Sequence, residues 1–150
     1  MSDEKELLFI ELLSLLESVL QQREKLQSTM QQGYLSLLRE RTQSRRRLDI
    51  DLVDDQLPPS KLVSWSSESP EFALVDAVNE ADDVGAPSLR RVLVAIGGAL
   101  PSQAIQDAQH RFESALQLSV QLANDTNRLN ALMQRFETES RAVFAEEQAH

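Results

Sequence analysis

Few side chains in this sequence have the types and spacing that metal or acid–base chemistry requires. Asp107, His110 and Glu113 recur at three-residue intervals, which would place them on one face of a helix. A metal site needs further ligands, and the only other histidine is His150 at the last position. We therefore interpret the three residues as part of a solvated helical face.

The sequence also has few of the residues and motifs that other kinds of catalysis require. Acidic pairs occur at residues 54–55 and 82–83, but neighbouring carboxylates converge on a substrate only where a fold directs them. The chain contains no cysteine, which excludes thiol catalysis, disulfides and Cys-ligated metals. It also lacks a glycine-rich phosphate loop and the Gly-x-Ser-x-Gly motif of hydrolases. We expect a protein that is not an enzyme and has no cofactor or metal.

The net charge and the hydropathy of the chain argue against two kinds of partner, nucleic acids and the membrane interior. The 150 residues carry a formal net charge of −9, whereas nucleic-acid binding needs a basic face. The longest apolar run, residues 92–100, is far shorter than the roughly 20 residues that span a bilayer. The acidic N-terminus lacks the basic start of a signal peptide. We expect a soluble, cytosolic-side protein with no nucleic-acid partner.

The distribution of proline divides the chain into three segments. All five prolines lie within residues 48–101, so residues 1–47 (the first arm) and 102–150 (the second arm) can each form a long helix. Aromatic residues make up only 5% of the chain, and a seam between two helices is filled mainly by aliphatic side chains. The sequence predicts one all-α domain over residues 1–150, a long antiparallel helical hairpin or coiled coil.

Apolar residues of the first arm recur at alternating steps of three and four, the period of a helix face. Arg23 and Gly33 interrupt this series, and additional leucines widen it, which indicates contact with more than one neighbouring helix. The arm ends in five arginines within residues 39–47, which could bind lipid, a partner or the acidic residues that follow. The apolar series comprises Phe9, Leu12, Leu16, Val19, Leu26, Met30 and Leu37.

The second arm has two seven-residue series, the pattern of a coiled-coil seam. Pro101 is expected in the first turn of this helix. Because long helices depend on burying their apolar face, pairing of the two arms, homodimer formation, or both, should stabilise them. The series are Ile105, Phe112, Ser119, Thr126, Met133 and Ser140, and Ala108, Ala115, Leu122, Leu129, Phe136 and Val143.

Residues 48–101 form an acidic connector with 10 acidic and 3 basic residues. Residues 48–70 fit a disordered segment better than a strand, because acids and prolines follow the short apolar alternation at their start. The spacing of apolar residues in 71–83 predicts a short amphipathic helix. Trp65, an aromatic residue in a serine-rich stretch, is a candidate docking anchor. We therefore expect a partly disordered connector.

Two segments resemble the assembly factors of the vacuolar-type proton ATPase, a coiled-coil family that includes the peripheral endoplasmic-reticulum factor of fungi and its animal counterpart. Residues 32–41 (QGYLSLLRER) are similar to the Gly-aromatic-Leu-Ser-Leu signature that ends the family's first helix. Leu100-Pro101, Ala108-Gln109, Phe112 and Leu116 are similar to its apolar-Pro entry and Ala-Gln-x-x-Phe core. The resemblance covers about a third of the chain. Thr42 and the aliphatic residues 92–96 stand where the family often has aromatics.

The resemblance implies a non-catalytic chaperone that helps to assemble the proton-translocating membrane sector of the pump. Its partners would be an integral-membrane assembly factor and membrane-sector subunits, and it would act at the cytoplasmic face of the endoplasmic reticulum or of other endomembranes. The candidate partner-binding residues are Tyr34, Leu35, Leu38, Arg41, Phe112 and Leu116.

Two other functions remain open on the same architecture. A prefoldin-like holdase has the same order of helix, connector and helix, but it requires a β-hairpin in the connector. A structural coiled-coil subunit of a larger scaffold would use the arginines of residues 45–47 as a localisation signal.

Overall fold

A computed structural model describes residues 2–43, 61–67, 70–77 and 101–148 of the chain. Two long helices dominate: α1 spans Ser2–Gln43 and α2 spans Gln103–Gln148. Between them in sequence lie the strands β1, Lys61–Trp65, and β2, Phe72–Asp76. The predicted predominance of helix is confirmed. Residues 44–60 and 78–100, which include the arginines of residues 45–47 and most of the connector, lie outside the described residues.

The two strands form an antiparallel hairpin with Lys61 opposite Asp76 and Trp65 opposite Phe72. Both strands are rich in aliphatic and aromatic residues, and Pro70 lies between them in sequence. The prediction of a helix over residues 71–83 is therefore wrong at residues 72–76. The prediction of disorder over residues 48–70 is likewise wrong at residues 61–65. The two strands were not predicted because serine and acidic residues surround these short stretches of β-forming residues.

The chain divides into two compact units, each of which contains a part of both helices. The first unit comprises residues 1–25 and 121–150, and the second comprises residues 26–120. In the first unit, the ring of Phe9 lies 6.0 Å from the ring of Phe136 between centroids. Gln22 Nε2 donates a hydrogen bond of 2.6 Å to Asp125 Oδ2. Later residues of α1 thus contact earlier residues of α2 within this unit.

Most buried and half-buried residues of α1 from Leu8 to Glu40 follow an alternation of four- and three-residue steps, which we call the seam, and half-buried Ser18 and Leu37 lie beside it. This is the predicted period, but several members differ from the predicted series. Phe9, Leu16 and Met30 belong to the apolar series predicted for the first arm, and they are 47%, 38% and 37% exposed. Polar and small residues occupy several positions in their place, and the C-terminal half of the seam contains few aliphatic side chains. The seam comprises Leu8, Leu12, Leu15, Val19, Gln22, Leu26, Thr29, Gly33, Ser36 and Glu40.

On α2, only one of the two predicted series stays buried along the helix. Ala108, Ala115 and Leu129 are at most 8% exposed, whereas Ser119 and Met133 of the other series are exposed. From residue 118 onward, half-buried Leu118, Asp125 and Leu132 lie on the buried side of α2. Each of them comes one residue before a member of the other series, so that the buried positions are shifted by one residue relative to the prediction.

Ser102 marks the N-terminus of α2. Its Oγ accepts a hydrogen bond of 3.3 Å from the backbone N–H of Ile105, the arrangement of an N-cap. Pro101 therefore lies just before the cap, one position outside the helix, and not in the first turn as predicted. Its carbonyl oxygen accepts a hydrogen bond of 3.1 Å from Gln106 Nε2.

Candidate functional site

The two segments that carry the family resemblance meet in the second unit, in a contact that we call the motif joint. It joins residues 32–40 of α1 to residues 102–112 of α2. A Cβ atom added to Gly33 would lie 3.0 Å from Phe112 Cζ and 3.1 Å from its Cε1. Any other residue at position 33 would force the Phe112 ring to shift, because these distances are shorter than ordinary van der Waals contacts. Gly33 is thus a buried seam residue, and its predicted role as an interruption of the seam is wrong.

Tyr34 and Phe112 form an aromatic pair at the motif joint. Their ring centroids lie 5.2 Å apart and their planes meet at 74°, an edge-to-face arrangement. Phe112 is half-buried, whereas 59% of Tyr34 is exposed. Tyr34 therefore packs against α2 through one side of its ring and presents the rest to solvent.

Hydrogen bonds between the helices flank the aromatic pair. Arg111 donates to Gln32 Oε1 on one side of the pair in sequence. On the other side, Ser102 Oγ donates to Glu40 Oε2, and Glu40 is only 5% exposed. Because Ser102 is the N-cap of α2, this bond places the carboxylate of Glu40 at the positive end of the helix dipole.

Small side chains allow the helices of this unit to approach closely. Ser36 lies three residues after Gly33 and is 8% exposed. Its hydroxyl donates a hydrogen bond of 3.0 Å to the carbonyl oxygen of Gln32. Ala108, which is 1% exposed, lies one turn before Phe112 on α2. The motif residues thus have a packing role, because they make room for the Phe112 ring.

Five of the six candidate partner-binding residues are exposed to solvent around the motif joint. Leu35 and Leu38 are 51% and 54% exposed, and Leu116 is 45% exposed. Arg41, in the last turn of α1, is exposed as well. The fifth exposed residue is Tyr34, at 59%, and it forms the aromatic pair with the half-buried sixth residue, Phe112.

Sequence reasoning missed Ser36, Glu40 and Ser102 because it followed apolar residues only. The signal was nevertheless present in the spacing. Residues 33, 36 and 40 continue the steps of three and four that connect the seam residues 26 and 29. A periodicity that accepts small and polar residues would have found them.

The hairpin adds an apolar surface to the second unit. Val63 and Trp65 are 58% and 65% exposed, so Trp65 lies at the end of a strand rather than in a loop. Lys61 makes an ion pair with Asp76 across the strands. The hydrogen bond to Asp76 raises the pKa of Lys61, and the charges of Asp76 and Glu113 add to this effect, while desolvation opposes it. Glu113 of α2 therefore acts electrostatically on the hairpin.

Among the described residues, the hydrogen bonds and ion pairs of the three-residue repeat on α2 are with residues three or four positions away on the same helix. His110 Nδ1 lies 3.8 Å from Glu113 Oε2, and the imidazole is largely exposed. Gln103 Nε2 donates to Asp107 Oδ1 at 2.9 Å. Among the residues that the structure describes, no group of three His, Cys, Asp or Glu side chains is arranged to hold a metal ion.

Neither helix, over its described residues, contains a stretch apolar and long enough to cross a membrane. No protein-family model matches the chain, and no curated protein is significantly similar to it in sequence.

Proposed function

We propose that this chain is a non-catalytic chaperone that helps to assemble the membrane sector of the vacuolar-type proton ATPase. The observation that carries the proposal is the motif joint. The two segments that resemble the family are far apart in sequence, yet Gly33 and Tyr34 contact Phe112 directly. The residues of the resemblance therefore lie together in one contact between the two helices, which supports the proposal.

The proposed architecture is an antiparallel coiled coil of α1 and α2. It is supported by contacts that pair later residues of α1 with earlier residues of α2 inside each unit. Phe9 contacts Phe136 and Gln22 contacts Asp125 in the first unit. Gln32 contacts Arg111 and Glu40 contacts Ser102 in the second unit.

The proposed partner surface consists of the exposed side chains beside the motif joint. Tyr34, Leu35, Leu38 and Leu116 are between 45% and 59% exposed, and a few residues, most often Trp, Tyr and Arg, dominate the energetics of protein interfaces. The basic side chain of Arg41 would add polar contacts at the edge. We propose that an integral-membrane assembly factor and membrane-sector subunits bind here through their helices, at the cytoplasmic face of the endoplasmic reticulum.

Purification of the tagged protein from detergent-solubilised membranes tests this proposal. Recovery of a multi-span membrane partner together with proton-pump subunits is expected. Leu35→Glu with Leu38→Glu should abolish that recovery, because both side chains are exposed and a charge there blocks an apolar interface. Val63→Glu, an equally exposed site on β1, is the matched control. Recovery of soluble chaperone subunits alone, or normal organelle acidification without the protein, would contradict the proposal.

The hairpin favours a second candidate function, a prefoldin-like holdase. That architecture requires a β-hairpin between two long helices, and β1 and β2 provide one. Leu62, Val63, Trp65 and Val75 expose between 40% and 65% of their surface, so the hairpin could hold unfolded apolar segments. Suppression of the aggregation of an unfolded client by the purified chain, lost in Val63→Glu and kept in Leu35→Glu, would support this candidate over the first.

A further inference from the structure

A second row of apolar side chains runs along α1 outside its seam, within the first unit. Phe9, Leu13, Leu16 and Leu20 follow each other at steps of four, three and four residues. Their exposed fractions are 47%, 46%, 38% and 56%. Steps of this kind are those of a seam that packs against another helix. Helix α1 therefore carries two such faces. Among the described residues, the ring of Phe136 lies beside Phe9 at one end of the second face, and all four of its side chains keep more than a third of their surface exposed.

The row ends in opposite charges. Glu6 lies three residues before Phe9, and Arg23 lies three residues after Leu20. Both charged side chains are exposed, and neither makes an ion pair in the described part of the chain. Each charge thus continues the heptad spacing and has no ion-pair partner among the described residues.

The row is symmetric about the peptide bond between Ser14 and Leu15. Leu13 and Leu16 are equally far from that bond, as are Phe9 and Leu20, and as are Glu6 and Arg23. Two-fold symmetric interfaces require such self-complementarity, because the same patch must fit itself after rotation.

We propose that this face binds a second copy of the chain, with the two α1 helices antiparallel about a two-fold axis. The centre of the interface then consists of Leu13 against Leu16 of the second copy, flanked by Phe9 against Leu20. Glu6 faces Arg23 of the second copy at both ends. We call this surface the self-complementary face, and the inference does not depend on the pump-assembly proposal.

Charge also selects the antiparallel orientation. In a parallel pair, Glu6 would meet Glu6 and Arg23 would meet Arg23, and like charges at these positions repel. The neighbouring carboxylates of Glu17 and Glu24 are exposed on the same side of α1. They disfavour the alternative occupant of an anionic membrane surface, because they would repel its head groups.

A charge-reversal series, measured by sedimentation equilibrium on the full chain, tests the proposal. The unmodified chain should show a monomer–dimer equilibrium. Glu6→Arg and Arg23→Glu should each weaken the dimer by about 3- to 30-fold, because each replaces two exposed ion pairs with two repulsions. The double variant Glu6→Arg, Arg23→Glu should restore the original affinity, since it exchanges the partners and rebuilds both pairs.

A matched pair of leucine variants tests the apolar part. Leu13→Glu places a charge at the centre of the face and should weaken the dimer by at least about 30-fold. Leu7→Glu is the control, because Leu7 is 68% exposed on α1 but outside the row, and it should leave the dimer unchanged. Circular dichroism must show equal helicity in both variants.

Cysteine cross-linking tests the orientation, on a background free of native cysteine. Chains with Leu13→Cys should form disulfides with chains carrying Leu16→Cys when the two are mixed and oxidised. Self-linking of each variant without mixed products would mean a parallel pair and would overturn the proposal. A monomer at all concentrations would overturn it too. Binding of lipid vesicles or of another protein's helix to this face, in place of a dimer, would likewise overturn it.

Discussion

Gly33 combines two opposing effects on the stability of α1. A glycine inside a helix costs about 1 kcal/mol relative to alanine, while its missing Cβ leaves room for Phe112. Gly33→Ala should therefore change the unfolding free energy by less than about 1 kcal/mol, because a small shift of the ring offsets the helix propensity gained. Gly33→Val adds two further methyl groups against the same ring and should destabilise the protein by about 1–3 kcal/mol. Urea unfolding measures both, and equal stability of Gly33→Val and the unmodified chain would contradict the packing.

Ser102 serves two groups at once, the backbone of its own helix and a buried carboxylate of the other. Ser102→Ala should destabilise the protein by about 1–3 kcal/mol, since it removes the N-cap and leaves buried Glu40 without this donor. Ser102→Thr keeps the hydroxyl and is the control, with a loss of less than about 1 kcal/mol. Thermal unfolding compares the two. A loss in Ser102→Ala no larger than in the control would show that the contact contributes little.

The ion pair of Lys61 with Asp76 makes the hairpin sensitive to alkaline pH. Because the folded hairpin raises the pKa of Lys61 above its ordinary value of 10.5, the pair stabilises the hairpin fully below that pH. The stabilisation is lost as the pH rises through the raised pKa. Amide exchange of residues 61–65 and 72–76 should therefore accelerate above pH 10.5 beyond the intrinsic increase. Lys61→Gln should remove this additional step, and its persistence there would assign the effect to another group.

At the scale of elements, burial on α2 separates two residues that the heptad pattern treats alike. Leu129 is 8% exposed and Met133 is 44% exposed, although both belong to the predicted seam series. Leu129→Ala should cost about 2 kcal/mol or more, because it leaves a cavity at a buried contact. Met133→Ala should cost less than about 1 kcal/mol. Denaturant unfolding of the two variants decides between the observed burial, which leaves Met133 outside the seam, and the two predicted heptad series, which predict similar losses.

Periodicity predicted the helices because each carries the same signal over more than 40 residues. It did not identify every seam residue, because Gly33, Ser36 and Glu40 are not apolar side chains. Gly33 leaves room for the Phe112 ring, and Ser36 and Glu40 make hydrogen bonds. The hairpin was missed for a different reason. Each strand has five residues, too few for a clear alternation, and its pairing depends on contacts across the turn. Of the candidate site, the sequence predicted the members of the aromatic pair but not their contact.

At the scale of the whole molecule, we expect the helicity of each arm to depend on the other arm, because an isolated helix leaves its apolar face exposed to water. A peptide of residues 2–43 and a peptide of residues 101–148 should each be only partly helical alone at concentrations where each is monomeric. Mixing them should raise the ellipticity at 222 nm above the sum of the separate signals, since each then covers the seam of the other. Ile105→Glu with Leu129→Glu in the second peptide should abolish that increase, because both residues are buried. An increase that survives these charges would mean that the peptides associate through other surfaces. Full helicity of either monomeric peptide alone would show that the helices form without each other.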